Sequence, residues 1–261
     1  MMEPNNVLLL IIVGAIVGAA SAYIGSIMVL KRMALVGDAL THVALPGMAI
    51  AISLNINPSL GAFVALSLAI VGIWYLEKES GSYPEALVGV FFTASLAIGV
   101  LLTAEHDLLE ALFGTLENIT PQDGFITIVL SMVVMITTFY LSKKILISII
   151  SEEMAQTSGI NVSGVNLIYM LMVGLIVSLG IKFIGTLLMG ALVIIPAVSA
   201  RNITKSINGY FLASILFGIS SAVSGILISG KLELPVGAMV VVVSVVFYIL
   251  SLIFKKVLNL N

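Results

Sequence analysis

The feature that most constrains this chain is a succession of long apolar runs with little polar sequence between them. An α-helix rises about 1.5 Å per residue, so roughly 20 apolar residues cross the ~30 Å hydrocarbon core of a bilayer. Nine runs reach or approach that length: 7–30, 34–54, 59–76, 84–104, 124–147, 164–181, 183–200, 207–229 and 235–254. Only Ile181-Lys182-Phe183 separates the sixth from the seventh, so one of these two is expected to be short, tilted or broken. Membrane β-barrels are built from alternating apolar and polar positions, and such unbroken runs exclude them. With 60% hydrophobic and 9% charged residues among 261, a soluble domain is excluded as well. The predicted fold class is therefore an all-α polytopic membrane protein of about nine transmembrane helices. It forms one transmembrane domain over residues 1–261. The longest polar segments, 105–123 and 148–163, are too short to hold a core of their own.

The first run is too long for the apolar core of a signal peptide and has no basic residue before it. It reads as a retained spanning helix. Cytoplasmic loops are enriched in Lys and Arg. With the N-terminus outside, Lys31, Arg32, Lys78, Lys143, Lys144, Arg201, Lys205, Lys255 and Lys256 all fall inside, and only Lys182 and Lys231 lie opposite. Nine spans then put the C-terminus inside a cell membrane, plasma or inner. A net charge of −2 offers no footprint for nucleic acid. The absence of cysteine excludes disulfides, iron–sulfur clusters and thiolate metal sites.

Against this background the run Gly37-Asp38-Ala39-Leu40-Thr41-His42-Val43-Ala44-Leu45-Pro46-Gly47 stands out. Ionisable groups are costly in lipid and normally face a bundle interior or a water-filled path. Asp38 and His42 are four residues apart, so they share one helix face about 6 Å apart along the axis. Pro46 lacks an N–H and obstructs the carbonyl four residues earlier, which belongs to His42. One turn can thus present a carboxylate, an imidazole and a free carbonyl, with the Thr41 hydroxyl beside them. Such oxygen and nitrogen donors suit divalent zinc, manganese or iron. The plainer readings are that Asp38 caps the helix or pairs with Lys31 or Arg32, and that His42 is a buried, carbonyl-bonded histidine. One Asp and one His make an incomplete site, which a twofold-related second copy would complete.

Other polar landmarks say less. His106, with Glu105, Asp107 and Glu110, reads as a solvated external loop that binds cations weakly if at all. Residues 151–161 read as a short cytoplasmic helix, capped by Ser151, acidic in its first turn and ended by Gly159. In 182–204, Pro196 should kink the span and free the carbonyl of Leu192, as in a path-lining helix. Gly14 and Gly18 form a small-xxx-small pair, read as packing within the chain. No Walker A lysine motif, HExxH or Gly-x-Ser-x-Gly elbow occurs, so the chain is not expected to be an enzyme.

Together these segments resemble the integral-membrane permease of the metal-ion (zinc/manganese/iron) ABC importers, the ABC-3 family. Gly37–Gly47 looks like the family's GDALSH…PG signature, with Thr41 in place of the usual Ser. Lys182–Arg201 is similar to its K-x-V-G-x-L-L…P-A-x-x-A-R stretch. Phe113-Gly114 followed by Asp123 resembles its L-F-G…D segment. Glu153-x-Ala155-x-x-x-Gly159-Ile160 looks like its cytoplasmic coupling loop, although Ser151 stands where an acidic residue is common. The resemblance implies a type II importer-like bundle acting as a homodimer, with two ATPase subunits beneath it and an extracytoplasmic metal-binding protein above. It also implies a metal path past Asp38 and His42, with Pro46 and Pro196 on path-lining helices. ATPase contact is implied around Glu153, Ala155 and Gly159. No permanently bound cofactor is expected: the metal is cargo, and ATP is used by the partner subunit. The rival readings are a proton-coupled metal carrier and a siderophore or corrinoid importer permease.

Overall fold

A computed structural model describes residues 4–81, 83–102 and 120–257. Among them are ten α-helices and no strand: α1 Pro4–Leu30, α2 Ala34–Ser53, α3 Pro58–Ser80, α4 Pro84–Leu102, α5 Pro121–Ile150, α6 Glu152–Thr157, α7 Val162–Ile184, α8 Thr186–Ile203, α9 Ile207–Leu232 and α10 Val236–Val257. The sequence predicts nine spans. Eight helices are long and apolar enough to cross a membrane, and the remaining one, α8, has an apolar stretch limited to Leu188–Ile203. The short span is therefore the seventh. The break before it falls at Gly185 rather than at Lys182, because α7 continues to Ile184. Gly185 has φ 87° and ψ 161°, a region open essentially to glycine alone. His106, Glu105, Asp107, Glu110, Phe113 and Gly114 lie outside the described residues.

Helix α1 is the central post, packed against α5, α7, α8 and α9. Helix α2 sits between α3, α4 and α8. Lipid tails are as apolar as leucine, so hydrophobicity alone cannot pull these helices together. Close backbone approach over small residues does. Gly47 and Ala51 of α2 face Gly61 and Ala65 of α3, and each glycine leaves room for the other's carbonyl. Gly18 and Ala22 of α1 meet Gly218 and Ala222 of α9 in the same way, while Gly14 packs on Ile226. The Gly14/Gly18 pair is thus consumed by packing within the chain.

Helix α5 has 30 residues, about 45 Å, and outruns the hydrocarbon core. Its excess length carries α6 beyond one end of the bundle. Ser151 caps α6 by accepting from the Met154 N–H at 3.1 Å, and Gly159, with φ 77°, ends it. Both devices follow the sequence expectation for 151–161.

Candidate functional site

The second helix carries the candidate pair, Asp38 and His42. It begins at Ala34, after a tight turn in which Arg32 adopts the left-handed conformation at φ 60°. Met33 occupies the N-cap position and makes no side-chain cap bond. Asp38 is therefore a second-turn residue, not a cap. It has no ion-pair partner among the described residues: Lys31 bonds elsewhere, and Arg32 makes no salt bridge. The two plainer readings of Asp38 fail on these grounds.

Asp38 is exposed and His42 half-buried along one outward face of α2, which also carries Leu35, 84% exposed, and Ile50. The Thr41 hydroxyl donates to the Asp38 carbonyl at 2.7 Å and is fully buried, so it lies against the helix and away from the open face. Nδ1 of His42 is buried without a hydrogen-bond partner, and Nε2 is not in that state. A buried ring nitrogen left unpaired costs about 1–3 kcal/mol. The geometry thus leaves a carboxylate open to the outside of the chain beside a half-buried imidazole whose Nδ1 has no hydrogen-bond partner.

Three helices hold this face in place. On α4, the Phe92 ring meets the His42 ring edge-on, with centroids 5.4 Å apart and planes at 71°. Further along α4, Gly99 packs against Leu45 and Pro46. On α8, Gly190 lies so close to Asp38 that a Cβ would stand 2.9 Å from the Asp38 Cα. On α3, Gly61 meets Gly47. Pro46 is half-buried on the site's helix, whereas Pro196 is buried inside the chain.

Phe92 was not legible as a functional candidate, because nothing in its sequence neighbourhood marks which helix it faces. The spacing of Gly47/Ala51 and Gly61/Ala65 was the one readable signal for the α2–α3 approach.

At the far end of the bundle the structure joins two of the sequence motifs. Lys182, in the last turn of α7, donates to Asp123 Oδ2 at 2.7 Å, the one salt bridge among the described residues. Asp123 also closes a capping box with Thr120 at the start of α5. Both side chains are mostly buried, so Lys182→Met leaves a carboxylate without its cation. The expected loss is about 1.5–3 kcal/mol. Thermal unfolding in detergent should show a lower midpoint for Lys182→Met than for wild type, and little further loss when Asp123→Asn is added.

At the other end, α6 turns its buried Ala155 toward the bundle and its exposed Glu152, Glu153 and Met154 outward. Ala155 therefore seats the helix, and Glu153 stands on its free side.

Among the described residues, an all-helical bundle with eight helices long and apolar enough to cross a bilayer defines a polytopic membrane protein. The chain belongs to the ABC 3 transport family, whose model matches residues 5–255. It is 31% identical over 252 residues to the high-affinity zinc uptake system membrane protein ZnuB of Haemophilus influenzae, covering 94% of this chain and 96% of that protein. It is 29% identical over 248 residues to the manganese transport system membrane protein MntC of Listeria monocytogenes, covering 94% and 89%. Among solved structures, PsaBC from Streptococcus pneumoniae in complex with Fab superposes with a TM-score of 0.82 at 27% identity, over 95% of this chain and 90% of that one.

Proposed function

We propose that this chain is the transmembrane permease subunit of an ATP-driven importer of divalent transition metal ions, zinc or manganese foremost. The observation that carries the reading is that an exposed Asp38 and a half-buried His42 share one outward face of α2. The near full-length similarity to proteins named for zinc and manganese uptake supports the cargo class. ATP hydrolysis belongs to a separate subunit.

The ion exchanges part of its water shell for the Asp38 carboxylate and the His42 imidazole. The pair opens away from its own chain, so a second copy facing it would bring the ligand number to four, as twofold homodimers allow. Binding is weak enough for release because each chain supplies only two side chains. ATP binding below moves α6 and rearranges the bundle, so that the site faces first the binding protein and then the cytoplasm. In this reading the N-terminus lies outside, α6 and the C-terminus lie inside, and Glu153 meets the ATPase.

The test is uptake into vesicles holding the permease with its ATPase and binding protein. ATP-dependent zinc or manganese accumulation is expected, with competition between the two ions. Uptake driven by a pH gradient without ATP would assign the chain to the secondary carriers instead. Gly159 sits at φ 77°, which proline cannot adopt. Gly159→Pro is therefore expected to leave ATP hydrolysis running while metal uptake stops, and normal uptake would remove α6 from the coupling role.

A further inference from the structure

The three-residue turn between α1 and the site helix is tied to the segment that follows α6. Lys31 Nζ donates to Asn166 Oδ1 at 2.8 Å and stands 5.7 Å from the centre of the Tyr169 ring. Tyr169 is fully buried, and its hydroxyl donates to the Ile24 carbonyl at 2.8 Å. Two polar ties, one helical turn apart on α7, thus fix its first turns to the last two turns of α1.

Both sides of this joint are stiff. On one side, α6 and α7 are separated by four residues. In them Ile160 N–H bonds the Ala155 carbonyl at 3.0 Å, and the Asn161 side chain caps α7 by accepting from Gly164 at 3.0 Å. On the other side, Lys31 N–H bonds the Ile27 carbonyl and Met33 N–H the Met28 carbonyl, both at 2.9 Å, around the left-handed Arg32. Asp38 follows seven residues after Lys31. A shift of α6 cannot be absorbed by a loose loop on the way to α2.

The surroundings explain why a lysine serves here. Its half-buried ammonium stands at a small recess of about 60 Å³ that Trp74, Glu77 and Asn166 also line. Burial pushes the Lys31 pKa down, and the carboxylates of Glu77 on α3, Glu85 on α4 and Glu152 on α6 oppose that shift. Carboxylates on three helices, one of them α6 itself, therefore favour the charged form of this lysine. Apolar packing between α1 and α7 tolerates sliding. A hydrogen bond of a charged donor does not, because its strength falls steeply with distance and angle.

We infer that Lys31, through Asn166, is the positioning residue that passes movement of α6 to the Asp38–His42 helix. The inference rests on the permease reading above. The test uses the reconstituted complex and reads metal moved per ATP hydrolysed, a ratio that a merely structural tie would not change in a folded complex. Lys31→Met keeps the apolar stem and loses the donor, and Asn166→Leu loses the acceptor. Each is expected to assemble and hydrolyse ATP while the ratio falls at least about fivefold, the low end of ordinary coupling energies. The double variant should be no worse than either alone, and Asn166→Asp should keep the wild-type ratio. A wild-type ratio in Lys31→Met or Asn166→Leu overturns the inference and leaves the function intact. Failure of both to assemble, with Asn166→Asp assembling normally, makes the tie structural and also overturns it. Absence of ATP-driven uptake by the wild-type complex overturns the function itself.

Discussion

Asp38→Asn and His42→Gln are each expected to lower ATP-driven zinc or manganese uptake by at least about tenfold, since even outer-sphere partners of metal ligands cost about 10–100-fold when lost. Asparagine keeps the shape of the side chain and an acceptor oxygen but removes the charge. Asp38 is exposed and makes no salt bridge, so the substitution leaves no buried group unpaired. Glutamine at 42 gives up the ring that meets Phe92, so a folding control is needed there. Uptake in vesicles should be scored beside elution from a sizing column, which should be that of wild type for both variants. Unchanged uptake by both would remove the pair from the metal path.

The largest effect on folding is expected at Gly25. This residue of α1 lies where a Cβ would fall on the carbonyl oxygen of Val193 in α8. No side-chain rotation relieves a clash with backbone, so Gly25→Val must part the two helices. The cost should be on the order of 3 kcal/mol, the upper part of the range for overpacked cores. Parting α1 from α8 also disturbs Gly190 and with it the seat of Asp38. Gly230 is the matched control: it is exposed in α9, and a Cβ there meets nothing within 4 Å. Gly230→Ala should be neutral or about 0.5–1 kcal/mol more stable, because glycine is the poorer helix former. Thermal unfolding of the two variants side by side decides the matter. A wild-type midpoint for Gly25→Val would mean that α1 and α8 do not approach as closely as described.

Much of the architecture was readable because the relevant rules act over one or two helical turns. Span length follows from the bilayer, and the ends of α6 follow from Ser151 and Gly159. Asp38 and His42 share a face by spacing alone. The seventh span was harder: Lys182 looks like a boundary, yet its long side chain reaches Asp123 and lets α7 run on to Ile184. The boundary was set by a backbone angle that glycine alone tolerates, not by charge.

The chain by itself determined that this protein crosses a membrane many times, that one helix carries a carboxylate and an imidazole together, and that a short capped helix leaves the bundle after the fifth long one. These are local properties, fixed by helical periodicity and by the cost of polar groups in lipid. Only the tertiary structure decided that Phe92 lies on His42, that Gly190 gives way to Asp38, that Ala155 turns inward and that Lys31 finds Asn166. In a chain where most faces are apolar, pattern does not say which face meets which. That choice belongs to the few places where small residues let backbones touch and to the few polar groups that need each other.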